Sequence, residues 1–276
     1  MPARQLILWL GSISLLGCFH QPVNQTSTLR IKGSDTMLVL MENLAQGYMM
    51  SHPNMSIYIE GGGTASGINA LIEGDINICA ASRLLLPEES RRVSQKYESV
   101  GFLSRIAKDA LSIYVHPDNP IKDFSLKQLK MIFSGQIKNW REIGGQDREI
   151  VVLIRPPNSG TYQYFKEHIL QEQSYYSNAL TIPTTQRIVD EVLQNIAAVG
   201  YGGIAYGPEI IHCQVNGISP SPDNVRFDLY PISRYLYLYT LRKPQNLEKE
   251  FIDWIMSTDG QKIVQETGYI PIWSVE

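Results

Sequence analysis

Lys32-Gly33-Ser34-Asp35-Thr36, running into Met37-Leu38-Val39-Leu40, is one of two segments that decide how this chain is read. The other is Arg155-Pro156-Pro157-Asn158-Ser159-Gly160-Thr161, running into Tyr162-Gln163-Tyr164-Phe165. Each follows an apolar β-like run and opens an apolar helical pattern. That order places small residues and hydroxyls at a helix N-terminus, where backbone N–H groups lack intrahelical acceptors and the dipole is positive. Helix ends of this kind hold anions. Two of them, far apart in sequence and facing each other, would form a clamp for a small oxyanion.

The surrounding sequence has the rhythm of a parallel sheet. Leu29-Arg30-Ile31 reads as a strand, and apolar residues at 37, 40, 41, 44 and 48 follow helical spacing until His52-Pro53. Met55 to Glu60 alternates as a strand. Gly61 to Gly67 is a glycine-rich loop feeding a short helix with Ile68, Leu71 and Ile72 inward, and Asp75 to Ala81 is the next strand. Further on, Ala110 to Val115 is a strand, and Ser125 is a candidate N-cap for a helix over Leu126 to Phe133. Ile150 to Ile154 leads as a strand into the Arg155 segment. Helices are expected over Thr161 to Leu170, Gln186 to Asn195, Leu247 to Met256 and Gly260 to Thr267. Extended segments are expected over Val199 to Tyr206 and Tyr230 to Leu241. The expected fold class is therefore α/β, with two lobes joined by two crossover segments and a ligand cleft beside the strand ends. The expected bounds are residues 29–112 with 234–276 for the first lobe and 113–233 for the second.

Composition bounds the function. The chain has 276 residues and a formal net charge of -3, which argues against nucleic acid as a partner, since a nucleic-acid binder shows a basic face. The N-terminus reads as an address. Arg4 precedes a mostly apolar run from Leu6 to Leu16, too short for a membrane span and suited to a secretory signal over residues 1–17. The run ends Leu15-Leu16-Gly17-Cys18, which resembles the bacterial lipobox and makes Cys18 the candidate lipidation site. An ordinary signal peptide with an incidental Cys18 is the alternative. Residues 18–28 read as a polar tether. Cys79 and Cys213 remain; in an oxidising compartment they could pair, while Cys79 in an apolar strand fits a buried thiol better. No Cys/His cluster has metal spacing, and no cofactor is expected.

Arg155 with Ser159-Gly160-Thr161 is the strongest candidate anion site. An arginine fork gives two parallel bonds to an oxyanion, two hydroxyls donate from a helix start, and Gly160 lets a ligand approach the backbone closely. Read without a ligand, Ser159 is an N-cap and Arg155 a surface charge. Thr36, with the Met37 N–H, opens the first helix. Ser34 and Asp35 beside it are possible ligands or plain caps. Thr64 sits in the glycine-rich loop, which alone could be only a turn. Ser82 and Arg83 follow a strand whose end faces the same cleft, with a solvated Arg83 as the alternative.

Taken in series, these segments resemble the phosphate-binding lipoproteins of bacterial phosphate ABC importers. Gly33-Ser34-Asp35-Thr36, Gly63-Thr64-Ala65-Ser66-Gly67, Ala81-Ser82-Arg83, Asn119-Pro120 and Ile132-Phe133-Ser134-Gly135 fall in that family's order and spacing. So do Asn139-Trp140, the Arg155 segment and Gly200-Tyr201-Gly202-Gly203, covering about residues 29 to 270. The resemblance implies a periplasmic-binding-protein type II-like fold whose lobes close over inorganic phosphate, a membrane permease as partner, and a monomer. Carried over by position, it implies that Thr36, Met37, Thr64, Arg155, Ser159, Gly160 and Thr161 bind phosphate. Some family members have an aspartate at position 83, which accepts the proton of phosphate and repels sulfate. This chain has Arg83, so Arg83 is expected to add charge, and Asp35 becomes a candidate proton acceptor with helix capping as its alternative. The expected function is phosphate capture outside the cytoplasmic membrane and delivery to an ABC importer. Competing readings are another oxyanion such as sulfate or molybdate, a phosphate sensor, and a phosphoester-acting enzyme. The last lacks a histidine within the anion motifs to serve as base.

Overall fold

A computed structural model of the chain describes residues 27–275. The expected signal peptide, Cys18 and residues 19–26 of the tether lie outside the described residues. The first strand, β1 (Ser27–Gly33), begins two residues before the expected start and takes in the end of the tether. A 3-10 turn (Asp35–Met37) leads into α1 (Leu38–Ser51), followed by β2 (Met55–Glu60), α2 (Thr64–Glu73), β3 (Ile78–Ala81), α3 (Pro87–Tyr97) and β4 (Phe102–Val115). The chain continues through β5 (Asp123–Phe124), α4 (Leu126–Phe133), a second 3-10 turn (Trp140–Ile143), β6 (Val151–Ile154), α5 (Gly160–His168), β7 (Leu180–Thr181) and α6 (Thr185–Gln194). It closes with β8 (Ala198–Gly203), β9 (Ile211–His212), β10 (Gln214–Val215), α7 (Pro222–Arg226), β11 (Ser233–Thr240), α8 (Asn246–Ile255) and α9 (Thr258–Glu266).

The main sheet runs β2-β1-β3-β11-β4-β8-β6-β7, with β9 paired to β4. Pairings β1–β2, β1–β3, β6–β8 and β6–β7 are parallel; β11 and β4 run against their neighbours. β4 belongs to both lobes. Phe102–Ala110 pair with β11, and Leu111–Val115 pair with β8. Ser233, at the start of β11, lies opposite Ala110, so the two crossover segments meet side by side where β4 changes lobe.

Alternation along β3 explains the layers of the first lobe. Ile78 and Ala80 join the core under α1, α8 and α9, while Cys79 and Ala81 join the core under α2 and α3. Leu40, Met41, Leu44, Ala45 and Tyr48 supply the buried stripe of α1. In the second lobe, one core gathers α4, α5 and α7, and Ile188, Val189 and Val192 of α6 form another with Leu153 and Ala198. Cys79 and Cys213 are both buried and free, each in the core of a different lobe, and burial pushes both thiols up. Among the described residues no helix is long and apolar enough to cross a membrane.

Two elements differ from the sequence reading. α3 is a helix although only Glu89 and Val93 of it are buried; it has a Pro at its first turn but almost no apolar period to detect. β4 begins eight residues earlier than the apolar run at Ala110, because Arg105, Lys108 and Asp109 interrupt its pattern. The β1–α1 and β2–α2 turns bring both loops to one end of the sheet, and α2 packs tightly on β1. A Cβ on Gly67 would come 2.5 Å from Lys32 O, 2.7 Å from Gly33 Cα and 2.9 Å from Cys79 Sγ. Gly67→Ala should therefore lower unfolding free energy by about 1–3 kcal/mol through overpacking against backbone. Urea denaturation measures this, and an unchanged midpoint would contradict the close α2–β1 packing.

Candidate functional site

Three helical starts converge where the lobes meet. Thr36 lies in the 3-10 turn that enters α1, Thr64 is the first residue of α2, and Gly160 and Thr161 open α5. The Thr36 and Thr161 hydroxyls lie 2.9 Å apart across the lobes. A Cβ on Gly160 would come 2.4 Å from Thr64 Oγ1 and 2.5 Å from Ser82 Oγ, so only glycine lets α5 approach this closely. Ser82 Oγ accepts from Ser34 Oγ at 3.0 Å and lies 3.4 Å from Thr64 Oγ1, which accepts from the Ser82 N–H at 3.3 Å. Ser159 caps α5 by accepting from the Thr161 N–H at 3.2 Å. Ser34, Thr36, Thr64, Ser82, Ser159 and Thr161 are all buried. The N–H groups of Thr64, Gly160 and Tyr162 belong to first turns, where a helix supplies no acceptor.

Arg155 enters from the end of β6 and is 1% exposed. Its Nη2 donates to Asp35 Oδ2 at 2.7 Å and to Pro183 O at 2.9 Å, and its Nη1 to Thr185 Oγ1 at 2.9 Å. Its Nε is buried without a hydrogen-bond partner. The other Asp35 oxygen accepts from the Gly62 N–H at 2.8 Å. Asp35 thus ties the first lobe's glycine loop to the second lobe's arginine; it caps no helix. Further bonds cross at the same place. Asn158 O accepts from the Ala65 N–H at 3.1 Å, Asn158 Nδ2 donates to Gly62 O at 2.9 Å, and Tyr206 Oη donates to Asp35 O at 2.7 Å.

Not every expected ligand sits in this cluster in the expected role. The Met37 N–H donates to Ser34 O, closing the 3-10 turn, and the Met37 side chain is buried in the first lobe's core. Arg83 turns its fork onto Glu89, with 2.7 Å bonds to both carboxylate oxygens, and also donates to Leu84 O at 2.9 Å. Glu89 in turn accepts from the Leu86 N–H at the start of α3. The expected added charge of Arg83 is therefore matched by Glu89, because α3, unseen in the sequence pattern, delivers a carboxylate next to it.

Two residues escaped the sequence reading. Asp109 on β4 and Arg234 on β11 are register partners, both buried. Arg234 Nε and Nη2 donate to Asp109 Oδ2 at 3.0 and 2.9 Å, and Arg234 Nη1 donates to Thr161 Oγ1 at 3.2 Å. Burial pushes the Asp109 carboxyl above its ordinary value, while the Arg234 charge and bonds pull it down. The available signal was a lone charge inside each crossover strand. Two guanidinium–carboxylate pairs thus stand at the site, and their formal charges cancel.

This arrangement defines a two-lobe anion-binding protein, closed, with its donors on facing helix starts. Comparison with known proteins agrees. A family model described as the PBP superfamily domain matches residues 20–259. A Pseudomonas aeruginosa protein named phosphate-binding protein PstS is 33% identical over 263 residues, covering 87% of this chain and 81% of the relative. Its Bacillus subtilis namesake is 31% identical over 250 residues, covering 90% and 81%. Among solved structures, a Clostridium perfringens protein with bound phosphate, assigned to phosphate ABC transport, superimposes with a TM-score of 0.82 at 31% identity, covering 90% of this chain and 100% of that one. An ABC-type phosphate transport receptor from Vibrio cholerae gives a TM-score of 0.73 at 28% identity, covering 89% and 100%. The chain belongs to the PBP superfamily and, within it, to the family of PstS proteins.

The Asp35–Arg155 pair carries a stability prediction. Arg155 is buried and Asp35 part-buried, so removing the carboxylate leaves a buried guanidinium uncompensated, at a cost of up to about 3–5 kcal/mol. Asp35→Ala should lose that much unfolding free energy in phosphate-free buffer, by denaturant titration. A loss of less than about 1 kcal/mol would place the pair among weak surface contacts.

Proposed function

We propose that this protein binds inorganic phosphate outside the cytoplasmic membrane and delivers it to an ABC importer. The observation that carries the reading is the convergence of three helix starts and a buried arginine on one buried interlobe site. A dianion that displaces the Thr36–Thr161 contact meets hydroxyls and first-turn N–H groups from both lobes. Thr36, Thr64, Arg155, Ser159, Gly160 and Thr161 form the cradle, with Ser34, Asp35 and Ser82 beside it. Met37 and Arg83 hold the turn and the loop that present these groups. The role is a carrier's: the cradle hydroxyls bond one another, backbone N–H groups and Arg234.

In this reading the lobes comprise residues 29–112 with 234–276, and 113–233. Residues 1–17 are a signal peptide, and Cys18 bears the lipid that anchors a monomeric protein beside its permease. A single lipid chain gives marginal membrane affinity and a second makes it stable. Cys18→Ser should therefore move the protein from the membrane to the soluble fraction. Continued sedimentation of that variant with membranes would end the lipoprotein reading.

Calorimetric titration of the tether-deleted protein with phosphate, sulfate and molybdate tests the ligand. Phosphate should bind most tightly. Arg155→Ala also leaves Asp35 without its partner, so its melt is measured alongside, and the folded variant should lose about 2–5 kcal/mol of phosphate affinity. Binding within about twofold of wild type in that variant would remove Arg155 from the cradle.

A further inference from the structure

Arg234 separates two spaces. On one side it touches the cradle, through Thr161 Oγ1 and, at 3.5 Å, the Ser82 carbonyl. On the other, the Tyr164 ring lies against its guanidinium, 5.6 Å from carbon to centroid, and Tyr164 Oη donates to Ser233 O at 2.7 Å. Tyr164 follows Thr161 by three residues on α5, so one helix face supplies both the hydroxyl and the ring. Beyond this wall is a cavity of about 400 Å³, lined by Leu84, Leu86, His168, Tyr235 and Tyr237. Ser82, Tyr164 and Arg234 line it as well, so Ser82 and Arg234 border both cradle and cavity. The Arg234 side chain is nevertheless only 2% exposed, held in place by Asp109.

We propose that Arg234, backed by Tyr164, is the specificity-determining partition that admits the free oxyanion and rejects its esters. The inference rests on the phosphate reading above. A phosphomonoester presents the same phosphoryl oxygens but must send its organic group out of the cradle. The cavity adjoins the cradle and is large enough for that group, and the Arg234 guanidinium stands between the two. An ester taking that way must displace Arg234 from Asp109 and leave a fully buried carboxylate unpaired. Rejection by an unpaired buried charge is steeper than rejection by a lost contact. The cavity wall sets Leu84, Leu86, Tyr235 and Tyr237 beside Arg83, Glu167 and His168, so an aromatic substituent finds apolar surface there and the partition, not the room behind it, sets the specificity.

Phenyl phosphate is the probe, titrated by calorimetry alone and in competition with inorganic phosphate, at one pH and salt concentration. Wild type should prefer inorganic phosphate by at least about a hundredfold. The double variant Arg234→Ala/Asp109→Asn opens the partition without stranding a carboxylate, and its preference should fall at least about tenfold. Arg234→Lys keeps the charge but loses the planar fork, and should fall in the same direction. Wild type accepting phenyl phosphate within about tenfold of phosphate overturns the proposal, whatever the variants do. So does an unchanged preference in Arg234→Lys, or in the double variant where its melt is cooperative. A folded double variant that has lost both ligands makes Arg234 a ligand and also overturns the partition. Wild type that binds no phosphate fails the reading beneath, a result distinct from these.

Discussion

An oxyanion that leaves water gives up strong hydration, and only donors fixed beforehand can replace it without a further ordering cost. The rest of this structure follows from that constraint. The hydroxyls of Ser34, Thr36, Thr64, Ser82, Ser159 and Thr161 are held by one another, by N–H groups or by Arg234, in a region closed to solvent. Sheet connectivity puts the loops after β1, β2 and β6 at the strand ends that meet, each followed by a helix. The anion is offered dipoles from several directions, and the two arginines present are already balanced by Asp35 and Asp109. A buried excess of positive charge would strain the empty protein; matched pairs do not.

The same residues hold the lobes together. Asp35 and Tyr206 join the first turn to the second lobe, and Asn158 reaches the glycine loop twice, once through its carbonyl and once through its amide. These bonds exist only when the lobes are closed. Arg234 and Asp109 sit one residue from the point where β4 passes from one lobe to the other, and Arg234 touches residues of both. Site and crossover are thus mechanically one unit. Thr36 and Thr161 meet directly across the lobes, so any ligand seated between them must replace their 2.9 Å contact with bonds of its own, and only that difference can shift the lobes' equilibrium.

The β1–α1, β2–α2 and β6–α5 units were legible because apolar period, glycine and hydroxyl coincide there: the expected turns at Ser34–Thr36, Thr64 and Ser159–Thr161 are the ones that converge. The fold class followed from the strand–helix alternation of residues 29–81. What stayed hidden is where charge sits inside structure. Asp109 and Arg234 interrupt apolar strands, and nothing local tells that each is the other's partner 125 residues away. α3 lacks an apolar stripe, so Glu89, and with it the direction Arg83 takes, had no local mark. The role of Asp35 needed the tertiary fold for the same reason, since a capping aspartate and an ion-paired one look alike in sequence.

Hydroxyl groups can donate or accept, and their surroundings decide which. Thr161 Oγ1 receives Arg234 Nη1, Ser159 Oγ receives the Thr161 N–H, and Thr64 Oγ1 receives the Ser82 N–H. Thr161 Oγ1 also shares a proton with Thr36 Oγ1, and Thr64 Oγ1 with Ser82 Oγ, so an anion must draw these protons away from a neighbouring hydroxyl. Both oxygens of Asp35 receive donors from elsewhere as well, from Gly62 and Arg155. Arg83 brings no acceptor, and its donors go to Glu89 and Leu84 O. The cradle is accordingly a set of donors oriented by the protein's own N–H groups and guanidinium. What it offers an anion is a count of directed protons, worth most where the bound oxygens carry the most charge.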